Sequence, residues 1–315
     1  MKNGCMGKVL WVDLGRRTIN EEPISEAHYR KYLSGIGLAS KLLYDRIPAG
    51  ADPLGPDNIL GFVSGLLTGT GSLFAGRWMA VGKSPLTGTW GDANCGGNFS
   101  PAIKRCGYDG IFFSGISEKP VYLFIDKKGA SLRDAADIWG LDTRETENRL
   151  RKHVGCMHPR IACIGQAGEK LSLISGIAND GGRMAARSGL GAVMGSKKLK
   201  ALVLCGARRI RSHDSPTIKK LSRQCNESIQ FMPPFPPAFV LSYMGSLLRS
   251  LPVQPNTEMM QFNTIYKIML KKWGTASLNQ ILIEIGDSPI KNWKGSNEDF
   301  KPDRSVRLNP EVFSD

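Results

Sequence analysis

The chain has 315 residues, of which 41% are hydrophobic and 8% aromatic, enough for one large domain or two ordinary ones with real cores. Its 42 Lys and Arg against 28 Asp and Glu leave a net charge of +14, which favours a polyanionic partner: nucleic acid, a phosphorylated cofactor or an acidic protein. The basic residues are scattered and no nucleic-acid motif is present, so nucleic acid is not expected. The longest apolar stretch, about residues 59–67, is too short and glycine-rich to cross a membrane. The opening MKNGCMGKVLWVD has no apolar secretion signal, and the 7 cysteines are widely spaced with no C-x-x-C pair. Reduced thiols in the cytoplasm are therefore expected.

Residues 8–13 (KVLWVD) alternate apolar and polar and predict a strand, with 18–22 returning as a hairpin. Helical spacing covers 25–44, interrupted by Gly35 and Gly37. Strands are predicted at 59–63 and 78–81, a short helix at 102–105, and strands at 110–114 and 121–126 around an exposed loop. Asp142 with Glu145 marks a helix start and Gly155 its stop. Strands at 161–165, 171–177 and 201–205, with a helix over 187–194, complete a mixed α/β domain. After a polar linker at 208–215, a helix is predicted over 217–230. FMPPFPP (231–237) reads as a rigid loop, and helices are expected at 238–251, 259–273 and 278–285. The fold class is thus α+β: an N-terminal mixed α/β domain of short strands, residues 1–210, followed by the beginning of a mainly helical domain, residues 211–315.

Two stretches stand apart. Residues 76–97, GRWMAVGKSPLTGTWGDANCGG, hold 6 glycines and are expected to bend tightly rather than pack. Residues 179–198, NDGGRMAARSGLGAVMGSKK, have the same character. Arginine suits forked hydrogen bonding to phosphate, and glycine lets backbone N–H groups come close to the same ligand. A large anion is one reading of these stretches; tight turns between strands is the other.

Sharper motifs fail on spacing. Gly82-Lys83-Ser84 has its upstream glycine at Gly76, one residue too far for a P-loop. Gly189-x-Gly191-x3-Gly195 mimics a dinucleotide fingerprint, but a polar run leads into it where a strand is required. His153, Cys156, His158 and Cys163 have no ordinary zinc spacing and read as a loop. Cys95 has no histidine or acid placed in sequence to activate it as a nucleophile.

The motifs GKVLWVDL, LTGTGSLFAGRWMAVGKSPLTG, ANCGGNFSPAIKRCGYDGIFFSG, IWG (138–140), IGQAGE (164–169) and NDGGRMAARSGLGAVMGSKKLKA run through most of the chain. In these motifs the sequence resembles the tungsten-containing aldehyde ferredoxin oxidoreductases, and KKWGTASLNQ and SPIKNWKG resemble the opening of that family's second domain. The resemblance implies a tungsten (or molybdenum) bis-pterin cofactor, with the N-terminal domain as its base. It also implies a magnesium ion bridging the pterin phosphates, and oxidation of aldehydes to carboxylic acids with ferredoxin as electron acceptor.

Carried over by motif, Arg77, Asn94 and Gly96 form the first pterin-contacting group, and Arg183, Met184, Ala186 and Arg187 the second. The backbone carbonyls of Asn94 and Met184 are the expected magnesium ligands, and Ser188 stands where a glycine is usual. No residue of this chain is nominated as acid or base. The family's [4Fe-4S] cluster is held by a C-x2-C-x3-C run and a distant fourth cysteine, and this chain has no such run. It is expected to be the N-terminal half of such an enzyme, working as a homodimer or with a complementary C-terminal chain. An aromatic acyl-thioester substrate, or a non-catalytic fragment, are the alternatives.

Overall fold

A computed structural model describes residues 3–229. The chain divides into two compact units, Met1–Gln224 and Cys225–Asp315. The helices expected at 238–251, 259–273 and 278–285, and the 231–237 loop, lie outside the described residues.

The first sheet starts from the alternation seen in the sequence. β1 (Lys8–Asp13) buries Val9, Leu10 and Val12 and pairs antiparallel with β2 (Thr18–Pro23). β3 (Leu60–Ser64), β4 (Trp78–Lys83), β5 (Trp90–Cys95) and β6 (Gly110–Ser114) complete it in the order β2-β1-β6-β3-β4-β5, with β1–β6 the parallel pair. The second sheet has the order β11-β10-β9-β12-β7-β8. Its strands are β7 (Val121–Asp126), β8 (Gly129–Asp134), β9 (Arg160–Cys163), β10 (Ile177–Asn179), β11 (Arg183–Ala185) and β12 (Leu199–Leu204). The β7–β12 pair is parallel, with a register shift between Leu199 and Ala201, and Lys200 between them is fully buried.

Among the described residues there are seven helices, several of which cover or separate the sheets. α1 (Glu26–Tyr32) is capped by Ser25, whose side chain accepts from the His28 N–H. α2 (Ile36–Arg46) starts at Gly35 and runs through Gly37 unbroken. Both pack on the outer face of the first sheet, where Tyr29, Leu38 and Leu42 meet Val9, Val63 and Phe112. α3 (Phe99–Arg105) and α6 (Leu190–Ser196) lie between the sheets and share one core with both: Phe62, Trp78 and Phe113 on one side, Leu123, Ile164 and Leu202 on the other. α4 (Thr143–His153) starts at Asp142, whose carboxylate accepts the Glu145 N–H at 2.8 Å, and it covers the outer face of the second sheet through Leu150. α5 (Gln166–Glu169) is a single turn, and α7 (Ser215–Ile229) follows the expected polar linker.

Three corrections follow. The stretch 76–97 does not merely bend, because most of it is the β4–β5 hairpin, with Val81, Ala93 and Cys95 buried. No strand covers 171–177: Leu171 has φ +58°, Leu173 and Ile174 are exposed, and the strand begins only at Ile177. The polar run 183–185 is itself a strand, paired with β10.

Candidate functional site

β5 ends the first sheet and β11 ends the second, and the two edge strands meet. Arg77 sits at the foot of β4, and its position is set by its neighbours. Trp78 is fully buried, stacked on Phe62 at 5.6 Å and against Phe99 at 5.0 Å. The Ser100 hydroxyl, in the first turn of α3, donates to the Arg77 carbonyl at 2.8 Å. The exposed Arg77 guanidinium then donates through Nε to Oδ1 of Asn94, across the β4–β5 ladder that pairs Trp78 with Cys95.

The second wall is the β10–β11 hairpin, paired Ile177 to Ala185 and Asn179 to Arg183. Its turn uses three successive positive-φ residues, Asp180 (+48°), Gly181 (+76°) and Gly182 (+138°). Glycines make the last two cheap. Glu147 on α4, itself buried, accepts the Gly181 N–H at 2.8 Å and pairs with Arg151 at 3.3 Å.

The walls close on Gly96. A β-carbon at Gly96 would lie 3.5 Å from Nη1 of Arg183 and 3.9 Å from Nη1 of Arg77, so the two guanidinium groups face one another across a position with no side chain. Two like charges gathered at one open position repel one another, more strongly against protein than in open water. Among the described residues no carboxylate forms an ion pair with Arg77, Arg183 or Arg187; the nearby Asp180 meets Arg160 through Oδ1 at 3.5 Å and accepts the Asn98 N–H through Oδ2, and Glu147 pairs with Arg151. A gap lined by unpaired cations and small residues fits a multiply charged anion.

The structure therefore brings Arg77, Asn94, Gly96 and Arg183 together. Met184, 43% exposed, is the next residue along β11, and its methyl group turns back over Gly176. Asn94 and Met184 both belong to edge strands, each with one side free of ladder partners. Ala186 and Arg187 are exposed at the exit from β11. No hydrogen bond, ion pair or ring contact ties Arg187 to the other arginines among the described residues. The following residue, Ser188, holds φ +61°; its hydroxyl donates to the Asp92 carbonyl and its own carbonyl accepts from Ser84, both at 2.9 Å. That end of the stretch is thus tied to β5 as well.

Sequence reasoning passed over Asn179 and Asp180. Both stand in the NDGG run, where they read only as turn formers; nothing in their spacing says they reach the other stretch. Cys95 is buried, and burial raises its thiol above the usual range, which disfavours the thiolate that a nucleophile requires. Among the described residues no cluster of His, Cys, Asp and Glu is arranged to hold a metal ion, and no helix is long and apolar enough to cross a membrane. Gly191 and Gly195, the false dinucleotide signature, let α6 press on the backbone at 168 and 176.

Comparison with known proteins is consistent across sequence and structure. Residues 9–206 match the family described as aldehyde ferredoxin oxidoreductase, N-terminal domain. A tungsten-containing aldehyde ferredoxin oxidoreductase of Pyrococcus horikoshii is 40% identical over 227 residues, 72% of this chain and 37% of that protein. Another, of Pyrococcus furiosus, is 38% identical over 291 residues, 92% of this chain and 43% of that one. Among solved structures, a chain of the active-site complex BamBC of benzoyl coenzyme A reductase, in complex with 1,5-dienoyl-CoA, superposes with a TM-score of 0.71. It is 32% identical, over 76% of this chain and 37% of that one. The chain spans well under half the length of each of these relatives.

Proposed function

Because the chain belongs to the aldehyde ferredoxin oxidoreductase family, an oxidoreductase family, we propose that it forms the base of a tungsten (or molybdenum) bis-pterin site. The enzyme it serves would oxidise aldehydes to carboxylic acids and pass the electrons to ferredoxin. The observation that carries this reading is the facing pair Arg77 and Arg183 across Gly96, with no carboxylate to neutralise them among the described residues.

The residues fit the group. Arg77 and Arg183 would bind phosphate oxygens, each such charge-assisted bond contributing about 1.5–3 kcal/mol. Gly96 leaves the space for the oxygens, and Arg187 and the Ala186 backbone extend the same wall. The Asn94 and Met184 carbonyls, on the two free edges, would hold the magnesium ion. When bound, the metal and its dithiolenes supply the redox chemistry. This chain's residues anchor and orient the group and neutralise its charge. The family's [4Fe-4S] cluster and a homodimeric or complementary partner chain belong to the same reading, as does a cytoplasmic, anaerobic setting in keeping with the free thiols of the six cysteines from Cys5 to Cys205.

A second reading concerns the substrate alone. The superposition on a benzoyl coenzyme A reductase chain at 32% identity supports an aromatic acyl-thioester in place of a simple aldehyde.

The test is metal and pterin analysis of the 315-residue chain purified without oxygen. One tungsten or molybdenum and two pterins per chain are expected. Arg77→Ala with Arg183→Ala should lower pterin content at least tenfold with the melting temperature retained. Absence of pterin under every expression condition refutes the reading.

A further inference from the structure

Asn179 belongs to neither arginine group, yet it is the residue through which the two glycine stretches touch. It is fully buried. Its Nδ2 donates to the Gly96 carbonyl at 3.2 Å and to Oδ2 of Asp180 at 3.1 Å, and its Oδ1 accepts from Sγ of Cys95 at 2.9 Å. The partners on β5 and its following turn are more than 80 residues away in sequence. Both amide protons and the amide oxygen are therefore used, and two of the three bonds cross from one sheet edge to the other. Asp180 adds a third crossing by accepting the Asn98 N–H, and Arg160 neutralises its other oxygen from behind.

The consequence is geometric. Gly96 carries the space that Arg77 and Arg183 face, and Arg183 pairs directly with Asn179 across the β10–β11 ladder. One rigid amide thus sets the distance between the Gly96 turn and the strand bearing Arg183. A buried amide cannot drift without leaving a donor or acceptor unpaired, so the spacing is held tightly.

We propose that Asn179 is the positioning residue of the cradle: a buried buckle that fixes the gap in which Arg77 and Arg183 meet one phosphorylated ligand. The proposal rests on the bis-pterin reading above. It predicts a loss confined to the seam between the two sheets, whereas a purely structural asparagine would loosen both sheets together.

The experiment uses the full 315-residue chain and three readouts: amide hydrogen exchange, melting temperature and bound pterin. Asn179→Ala should speed exchange at least tenfold at residues 96–98 and 181–183, leave β1–β2 and β7–β8 unchanged, and lower bound pterin at least tenfold. Asn179→Asp keeps the size but sets a carboxylate against the Gly96 carbonyl and Asp180, and it should do no better than alanine. If Asn179→Ala does not fold, Cys95→Ala frees only the amide oxygen and should give a roughly threefold version of the same pattern. Confined exchange with wild-type pterin content overturns the positioning role and leaves the bis-pterin reading intact. Exchange that rises throughout both sheets overturns it in favour of a structural role. A wild-type chain without pterin overturns both.

Discussion

At Gly97 φ is +100°, and a β-carbon there would press on Asp180 and lie 2.9 Å from Nδ2 of Asn179. At Gly96 the backbone is not in the left-handed region, and a β-carbon would meet only the two guanidinium groups, at 3.5 and 3.9 Å. Adjacent glycines therefore have different reasons to be glycine. Gly97→Ala should destabilise the chain by about 2 kcal/mol or more in urea unfolding, from backbone strain and overpacking. Gly96→Ala should leave the unfolding midpoint near that of the wild type and lower bound pterin severalfold.

A second residue-scale case is Lys200. Its side chain is fully buried, and its Nζ lies 2.5 Å from Glu169, which also accepts the Gly140 N–H at 2.9 Å. Lys200→Met strands a buried carboxylate and should cost about 3–5 kcal/mol of unfolding free energy. Two motifs quoted from the sequence, IWG and IGQAGE, are thereby joined: Gly140 ends the first and Glu169 the second.

Among the elements, α6 shows how closely glycine lets backbone approach backbone. A β-carbon at Gly195 would land directly on the Gly168 carbonyl oxygen, and one at Gly191 would lie 2.7 Å from the Gly176 carbonyl oxygen. Gly195→Ala should destabilise by about 3 kcal/mol, since no side-chain rotation relieves a clash with main chain; a thermal melt of the variant checks it. Sequence patterning located β1, β6, β7 and β12 well, because each buries one or both faces and carries the branched and aromatic residues that burial selects, while β2, with no buried residue, was found as the return of a hairpin.

It missed β5, β8 and β11, all in edge or edge-proximal hairpins where few apolar residues are needed. It placed a false strand at 171–177 because Leu171, Leu173 and Ile174 look like core residues, whereas all three are exposed. The arginines of the cradle were legible because their residue type states their chemistry. Asn179 was not, since its importance lies in contacts more than 80 residues away.

At the scale of the whole molecule, burial shifts a set of lysines, thiols and tyrosines among the described residues. Lys104 and Lys197 are fully buried, and desolvation lowers each to about 8. Between about pH 8 and 10.5 the unfolded chain keeps these protons and the folded chain does not, so both groups make stability rise with pH. The thiols act in the opposite sense. Burial pushes Cys106 and Cys163 up to about 12 and also raises Cys5, Cys95 and Cys205. Above about pH 9 the unfolded chain loses thiol protons that the folded chain retains, so stability falls as pH rises. Tyr29 and Tyr108, raised chiefly by burial, add to that fall above pH 10. Five thiols and two tyrosines outweigh two lysines. Urea midpoints measured under reducing conditions should therefore peak near about pH 9 and drop steeply by pH 11.

The order of strands in the second sheet also dictates when the cradle comes into being. β11 hangs on β10 and β10 on β9, and β9 joins the rest of that sheet only through β12. β12 ends at Leu204 and is the last strand the ribosome delivers among those described. Arg77 is made early and waits, and its counterpart Arg183 has no fixed place until more than 20 further residues have emerged. Whatever these two side chains grip together must dock with a chain already folded through β12.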